Sequence, residues 1–188
     1  MAKERLRPLA DEEMTEEQRR VAGAVLSGPR GGLRGPFPAL LRKPKLAESA
    51  RMLSDCIRYD NVLAPPLREL AIIIVARHWD AHYAWYAHST IALDEGLKPA
   101  IVDAIALGEE PDGLSIDEKI VYDFSRELLN KNDVSDATYD AALARFGEAG
   151  VVDLSATIGF YCFVAVTLNM LREEVPEDGK RLPDIEPR

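Results

Sequence analysis

Apolar positions recur at the three-to-four-residue spacing of helices almost throughout the chain, and no stretch alternates as a half-buried strand would. Thr15 and Gln18 have capping-box spacing ahead of RRVAGAVLSG, so a first helix is predicted over about 15–27. The glycine- and proline-rich GPRGGLRGPFP, residues 28–38, reads as a connection. A helix follows over ALLRKPKLAESARMLSDCIRYD, with Pro44 as a point of interruption. Pro65 and Pro66 suit the first turn of the next helix, where their missing N–H groups would be unpaired anyway. That helix runs through LRELAIIIVARHW, and its AIIIVA run is apolar on every side, the mark of a buried central helix. Asp80 is placed to cap AHYAWYAHSTIALDE, which Gly96 ends.

KPAIVDAIALG predicts a short helix, and Ser115 with Glu118 forms a second capping box that opens IDEKIVYDFSRELLN. Ser135 opens ATYDAALARFG, after which Gly147 and Gly150 lead into a long final helix. The expected fold class is all-α. It divides into an N-terminal helical extension over 1–34, a helical bundle over 35–175 and a polar tail over 176–188. PEDGKRLPDIEPR, the tail, is expected to be poorly ordered.

Composition narrows the function classes. At 188 residues, with 47% hydrophobic and 29% charged residues, the chain can bury the core of one soluble domain. A formal net charge of −9 argues against a nucleic-acid surface and against an anionic membrane surface, both of which call for basic patches. LSATIGFYCFVAVTLNML, residues 154–171, approaches the length of a membrane span, but Ser155, Thr157, Thr167 and Asn169 dilute it, so it reads as a buried core helix. Cys56 and Cys162 lie far apart and form no metal or redox spacing. MAKERLRPLADEE contains no apolar run of the signal-peptide kind, and a reducing cytoplasm is the expected location.

All three histidines and both tryptophans fall within ARHWDAHYAWYAHSTIALDEGL, residues 76–97. His78 and His82 would share a face on one continuous helix, whereas His82 and His88 point roughly 240° apart. No glutamate stands between His78 and His82 as in H-E-x-x-H, and a zinc site needs three or four convergent ligands, so no metal is expected. His88 shares its face with Ala81, Ala84, Trp85 and Ala92, small neighbours that leave room for a helix or a small ligand. Glu69 is the acidic residue of an otherwise apolar helix, and a buried carboxylate demands a partner. A Glu69–His88 pair across two packed helices would satisfy both groups and fix one imidazole tautomer. Arg68 or Arg77 can equally pair with Glu69 as a structural bridge.

RELAIIIVARHWDAHYAWYAHSTIALDEGL resembles the core motif of the carboxymuconolactone decarboxylase family, which also contains the AhpD-type alkylhydroperoxidases. The matching positions are Arg68 and Glu69, Ala76 and Arg77, Tyr83 and Trp85, His88, and Gly96. The likeness extends to GPFPALLRKPKLAESARML upstream and IGFYCFVAVTLNML downstream, covering roughly residues 35–172. It departs at Ala81 and Ala84, where peroxidase members carry a Cys-x-x-Cys, and a thiol peroxidase needs a thiolate there. Decarboxylase-like members often show Tyr-Glu-Trp where this chain has Tyr83-Ala84-Trp85.

The resemblance implies an AhpD-like helical bundle that associates into a homo-oligomer, a trimer or hexamer. It also implies cofactor-free decarboxylation, or related proton transfer, on a small lactone or other intermediate of aromatic catabolism. Glu69 and His88 are then the catalytic pair, and Arg77, Tyr83, Trp85 and Tyr161 contact the small-molecule substrate. A non-redox small-molecule-binding protein on the same scaffold is the alternative, and an alkylhydroperoxidase-like protein is disfavoured by the two alanines.

Overall fold

The computed structural model describes residues 5–29 and 31–185; the first four residues of the expected N-terminal extension, Arg30 and the last three of the tail lie outside it. Among the described residues the chain is helical, with no strand. After a short 3-10 turn at Asp11–Glu13 come α1 (Glu16–Ser27), α2 (Phe37–Leu40), α3 (Pro44–Tyr59) and α4 (Pro65–His78). They are followed by α5 (His82–Asp94), α6 (Pro99–Leu107), α7 (Ile116–Lys131) and α8 (Asp136–Leu171).

Local chemistry starts these helices where the sequence predicts. The Thr15 hydroxyl accepts from the Gln18 N–H while the Gln18 side chain accepts from the Thr15 N–H, closing the box on α1. Ser115 and Glu118 do the same for α7. Proline occupies the first turn of α3, α4 and α6. Pro44 does not interrupt a helix: it begins α3, and the residues before it form the separate single turn of α2.

The core is built around α4. Every residue from Leu67 to Arg77 is buried, and α5, α6, α7 and α8 pack around this helix. Leu70, Ala71, Ile72, Ile73 and Val75 are fully enclosed, which follows from a sequence apolar on all sides. α8 is apolar and long enough to cross a membrane by length and composition, yet half of its most apolar window is buried inside this bundle. The helix opened by Ser135 and the long final one run on as one element with a kink at Gly147, whose φ of 71° and ψ of 178° belong to glycine alone.

Two expectations need correction. Asp80 does not cap α5; Ala81 takes that position, while Asp80 has a left-handed φ of 49° and gives its carboxylate to Arg77. The Arg77 guanidinium, and not the first free N–H groups of α5, holds the Asp80 carboxylate. The tail is also docked rather than loose as far as Ile185. Val175 and Leu182 are buried, Lys180 pairs with Asp103 at 2.9 Å, and the Pro183 carbonyl accepts from Arg77 at 2.9 Å. Two apolar anchors and one buried guanidinium outweigh the polar composition of the segment.

Gly147→Ala places a side chain in a backbone region that only glycine adopts without strain. The expected cost is about 1–3 kcal/mol of stability in urea unfolding, against no measurable change if the kink is free to relax.

Candidate functional site

Glu69 lies one turn into α4, beside Arg68 on a stretch otherwise apolar around it, and is fully enclosed. Its partner comes from α5, which packs along α4: His88 Nδ1 stands 2.7 Å from Glu69 Oε2. Arg68 Nε is 3.6 Å from the other carboxylate oxygen, outside hydrogen-bond range. Burial by itself pushes the Glu69 carboxyl up, but the hydrogen bond and charge of His88, with the charges of Arg68 and Arg58, outweigh it and hold the group below its ordinary 4.5. Glu69 is therefore the acceptor and Nδ1–H of His88 the donor. The proton sits on Nδ1, and Nε2 is the nitrogen left for a ligand. Tyr161 meets the imidazole edge-on, with ring centroids 4.9 Å apart and planes at 83°, so the ring is held by a carboxylate on one side and an aromatic on another.

His88 is one wall of a cavity of about 580 Å³. Along α5 the cavity is lined by Tyr83, Ala84, Ala87 and Ile91, and across from them by Val164 and Leu168 of α8. Arg58 and Tyr59, at the end of α3, form a further side. Two non-helical segments complete it: Pro29 and Arg34–Pro36 from the glycine-rich arm, and Pro176 from the C-terminal segment. The volume is within the range of small-molecule sites, and the lining mixes apolar side chains with Arg34, Arg58, His88 and several tyrosines in nearly equal measure.

The structure brings Glu69, His88 and Tyr83 to this site and sets the other expected residues elsewhere. Tyr83 borders the cavity; burial, followed by the negative charge of Glu173, pushes its phenol above 10.0, against the opposing Arg34 charge and Gly35 N–H. Tyr161 stands against the His88 ring and is buried, outside the cavity lining. Trp85, expected at the substrate, is instead a core side chain with no exposed surface, packed among the helices and outside the cavity lining. Arg77 lies outside the cavity lining: its guanidinium bonds the Ala106 and Pro183 carbonyls at 3.1 and 2.9 Å and pairs with Asp80. It holds the C-terminal segment to the bundle, and it does not bridge to Glu69.

His78 and His82 belong to different helices separated by the left-handed Asp80, so they share no helical face. His82 borders a second cavity of about 370 Å³, which shares Tyr83 and Leu168 with the first. Cys56 is exposed, and burial pushes the half-buried Cys162 thiol up, against the contact with Trp79. Sequence reasoning missed Arg58 and Arg34. Arg58 continues the buried stripe Ala47–Ala50–Ser54–Ile57 of α3, and a cation at the end of such a stripe was the available signal.

No protein-family model matches the chain, and no curated protein matches it in sequence. A solved structure matches in fold: a crystal structure from Ralstonia eutropha JMP134, described as an alkylhydroperoxidase AhpD core and an uncharacterised peroxidase-related protein. The two superpose with a TM-score of 0.74 over 95% of each chain at 17% sequence identity. The chain has the AhpD-like fold. At that identity the likeness concerns architecture, and the chemistry of the site rests on its own residues.

A carboxyl lowered on folding stabilises the folded state above its unfolded value of 4.5, and this contribution is lost as the pH falls through the lower folded value. Stability of the unaltered protein should therefore drop on acidification below about pH 4.5, and Glu69→Gln should flatten that drop in melting curves. His88→Ala leaves the carboxylate buried without its main partner and should cost about 3–5 kcal/mol at neutral pH. A Glu69→Gln profile parallel to that of the unaltered protein would show that the pair contributes nothing.

Proposed function

We propose that the protein is a cofactor-free proton-transfer enzyme acting on a small unsaturated molecule, with decarboxylation of a lactone as the reaction the sequence resemblance favours. The observation that carries this reading is the 2.7 Å Glu69–His88 pair whose imidazole forms a wall of a cavity of about 580 Å³. A histidine held in one tautomer by a buried carboxylate, with its second nitrogen free for a ligand, is equipped to move a proton.

In such a decarboxylation the bond from the ring carbon to the carboxylate breaks and carbon dioxide leaves. The electron pair passes through the conjugated alkene to the lactone carbonyl, giving a dienolate. His88, having taken a proton from solvent at Nε2, then delivers it to the carbon beside that carbonyl and returns to the neutral Nδ1–H ring, and Glu69 balances the imidazolium charge before the transfer. The substrate is its own electron sink, so no cofactor is required by the chemistry. Ala84 and Ala87 leave the space beside the ring for the substrate body, and Tyr83 closes one side.

An alkylhydroperoxidase-like activity has one observation in its favour, the peroxidase-related description of the structural neighbour. The residues speak against it: the positions of a peroxidase thiol pair are Ala81 and Ala84, and Cys162 has its thiol pushed up rather than down. A non-catalytic binding protein with the same cavity is the remaining reading.

Incubation with carboxymuconolactone and related lactones, followed by carbon dioxide release, separates the three. Turnover should fall at least about a hundredfold in His88→Ala and in Glu69→Gln, and survive alkylation of both cysteines. Full turnover in both variants overturns the assignment. Hydroperoxide consumption abolished by alkylation would favour the peroxidase, and a ligand-induced melting shift without turnover the binding protein.

A further inference from the structure

The cavity holds a cation, Arg58, whose charge bears on Glu69 without an ion pair to it. Arg58 reaches the cavity from the end of α3, its Nε is buried, and that atom has no hydrogen-bond partner among the described residues. Other arginines of the chain are engaged: Arg51 with Glu48 and Asp55, Arg145 with Asp117, Arg77 with two carbonyls and Asp80. No ion pair of Arg58 occurs among the described residues, and its guanidinium carbon stands 5.5 Å from the Tyr59 ring centroid. A guanidinium carries five N–H donors in a planar fork that fits a carboxylate with two parallel bonds. Glu69 does not serve as that carboxylate in this structure: its Oε2 belongs to His88, and its Oε1 takes no hydrogen bond from Arg58. An anion from outside can.

We propose that Arg58 is the anion anchor of this cavity, binding a carboxylate of the ligand that stays intact while the reacting carbon lies at His88. The second part follows from electrostatics. A carboxylate in a guanidinium fork is held best while its charge is full, so the contact opposes loss of carbon dioxide from that same group. The anchored carboxylate is therefore a bystander, and the substrate class is an unsaturated molecule with an anionic handle separate from the atom that exchanges a proton. The apolar wall of Ala84, Ala87, Ile91 and Val164 takes the body between the two ends. This inference deepens the proton-transfer reading and depends on it only for placing the reacting carbon.

Calorimetric titration with trans-cinnamate and with cinnamamide, its neutral isostere, tests the anchor without any turnover. The unaltered protein should bind cinnamate at least tenfold more tightly than cinnamamide, a comparison that needs no variant to fold. Arg58→Gln should erase the difference, and Arg58→Lys should keep part of it, as a charge without the fork. Equal affinity for the two probes, or binding of neither, overturns the proposal. So does a preference that survives Arg58→Gln, including one lost only in Arg34→Gln. A protein that prefers cinnamate but turns over no lactone retains the anchor and loses the proton-transfer reading, so the two failures are told apart.

Discussion

An ionised carboxylate at the centre of an apolar helix constrains everything packed around it. Glu69 has no exposed surface, and α4 supplies only Arg68, at ion-pair range, to offset its charge. The neighbouring helix has to bring a hydrogen-bond donor to within bonding distance, and His88 is that donor. The same contact orients the imidazole, selects its tautomer and leaves Nε2 available. One requirement of stability thus produces a group with catalytic competence.

The surroundings of the pair then decide what it can act on. Alanines at 84 and 87 leave a space that larger side chains would fill, and the arm and the C-terminal segment enclose that space from outside the bundle. Arg77 bears on the site indirectly, because it fastens the segment whose Pro176 borders the cavity. Tyr161 acts from behind the ring. The long apolar α8 serves the same architecture, presenting Val164 and Leu168 to the cavity and Tyr161 to His88 from a single helix.

Much of this was readable in the residues because it depends on local rules. Capping boxes at Thr15 and Ser115, prolines at helix starts and the all-round apolar α4 each follow from a few neighbouring positions. The Glu69–His88 pair was readable as one of two pairings, since a buried carboxylate has to find a partner and His88 was the imidazole on a small-residue face; the choice over an arginine bridge came only with the 2.7 Å contact. What failed was the direction of side chains. Trp85 and Arg77 lie close in sequence to the site yet face the core and the C-terminal segment, a matter of helix rotation and tertiary packing. Arg58 belongs to a helix distant in sequence and joins the cavity only through the fold. The tail looked loose because its composition is polar, while its docking depends on Val175, Leu182 and one backbone carbonyl.

Three histidines make the chain well suited to nitrogen-15 NMR of labelled imidazoles, which reads the central contact directly. One imidazole should carry its proton on Nδ1 in a strong hydrogen bond, visible as a downfield resonance protected from exchange, and Glu69→Gln should move or erase that signal while leaving the other two in place. Three rings with ordinary, rapidly exchanging signals that do not respond to Glu69→Gln would contradict the account.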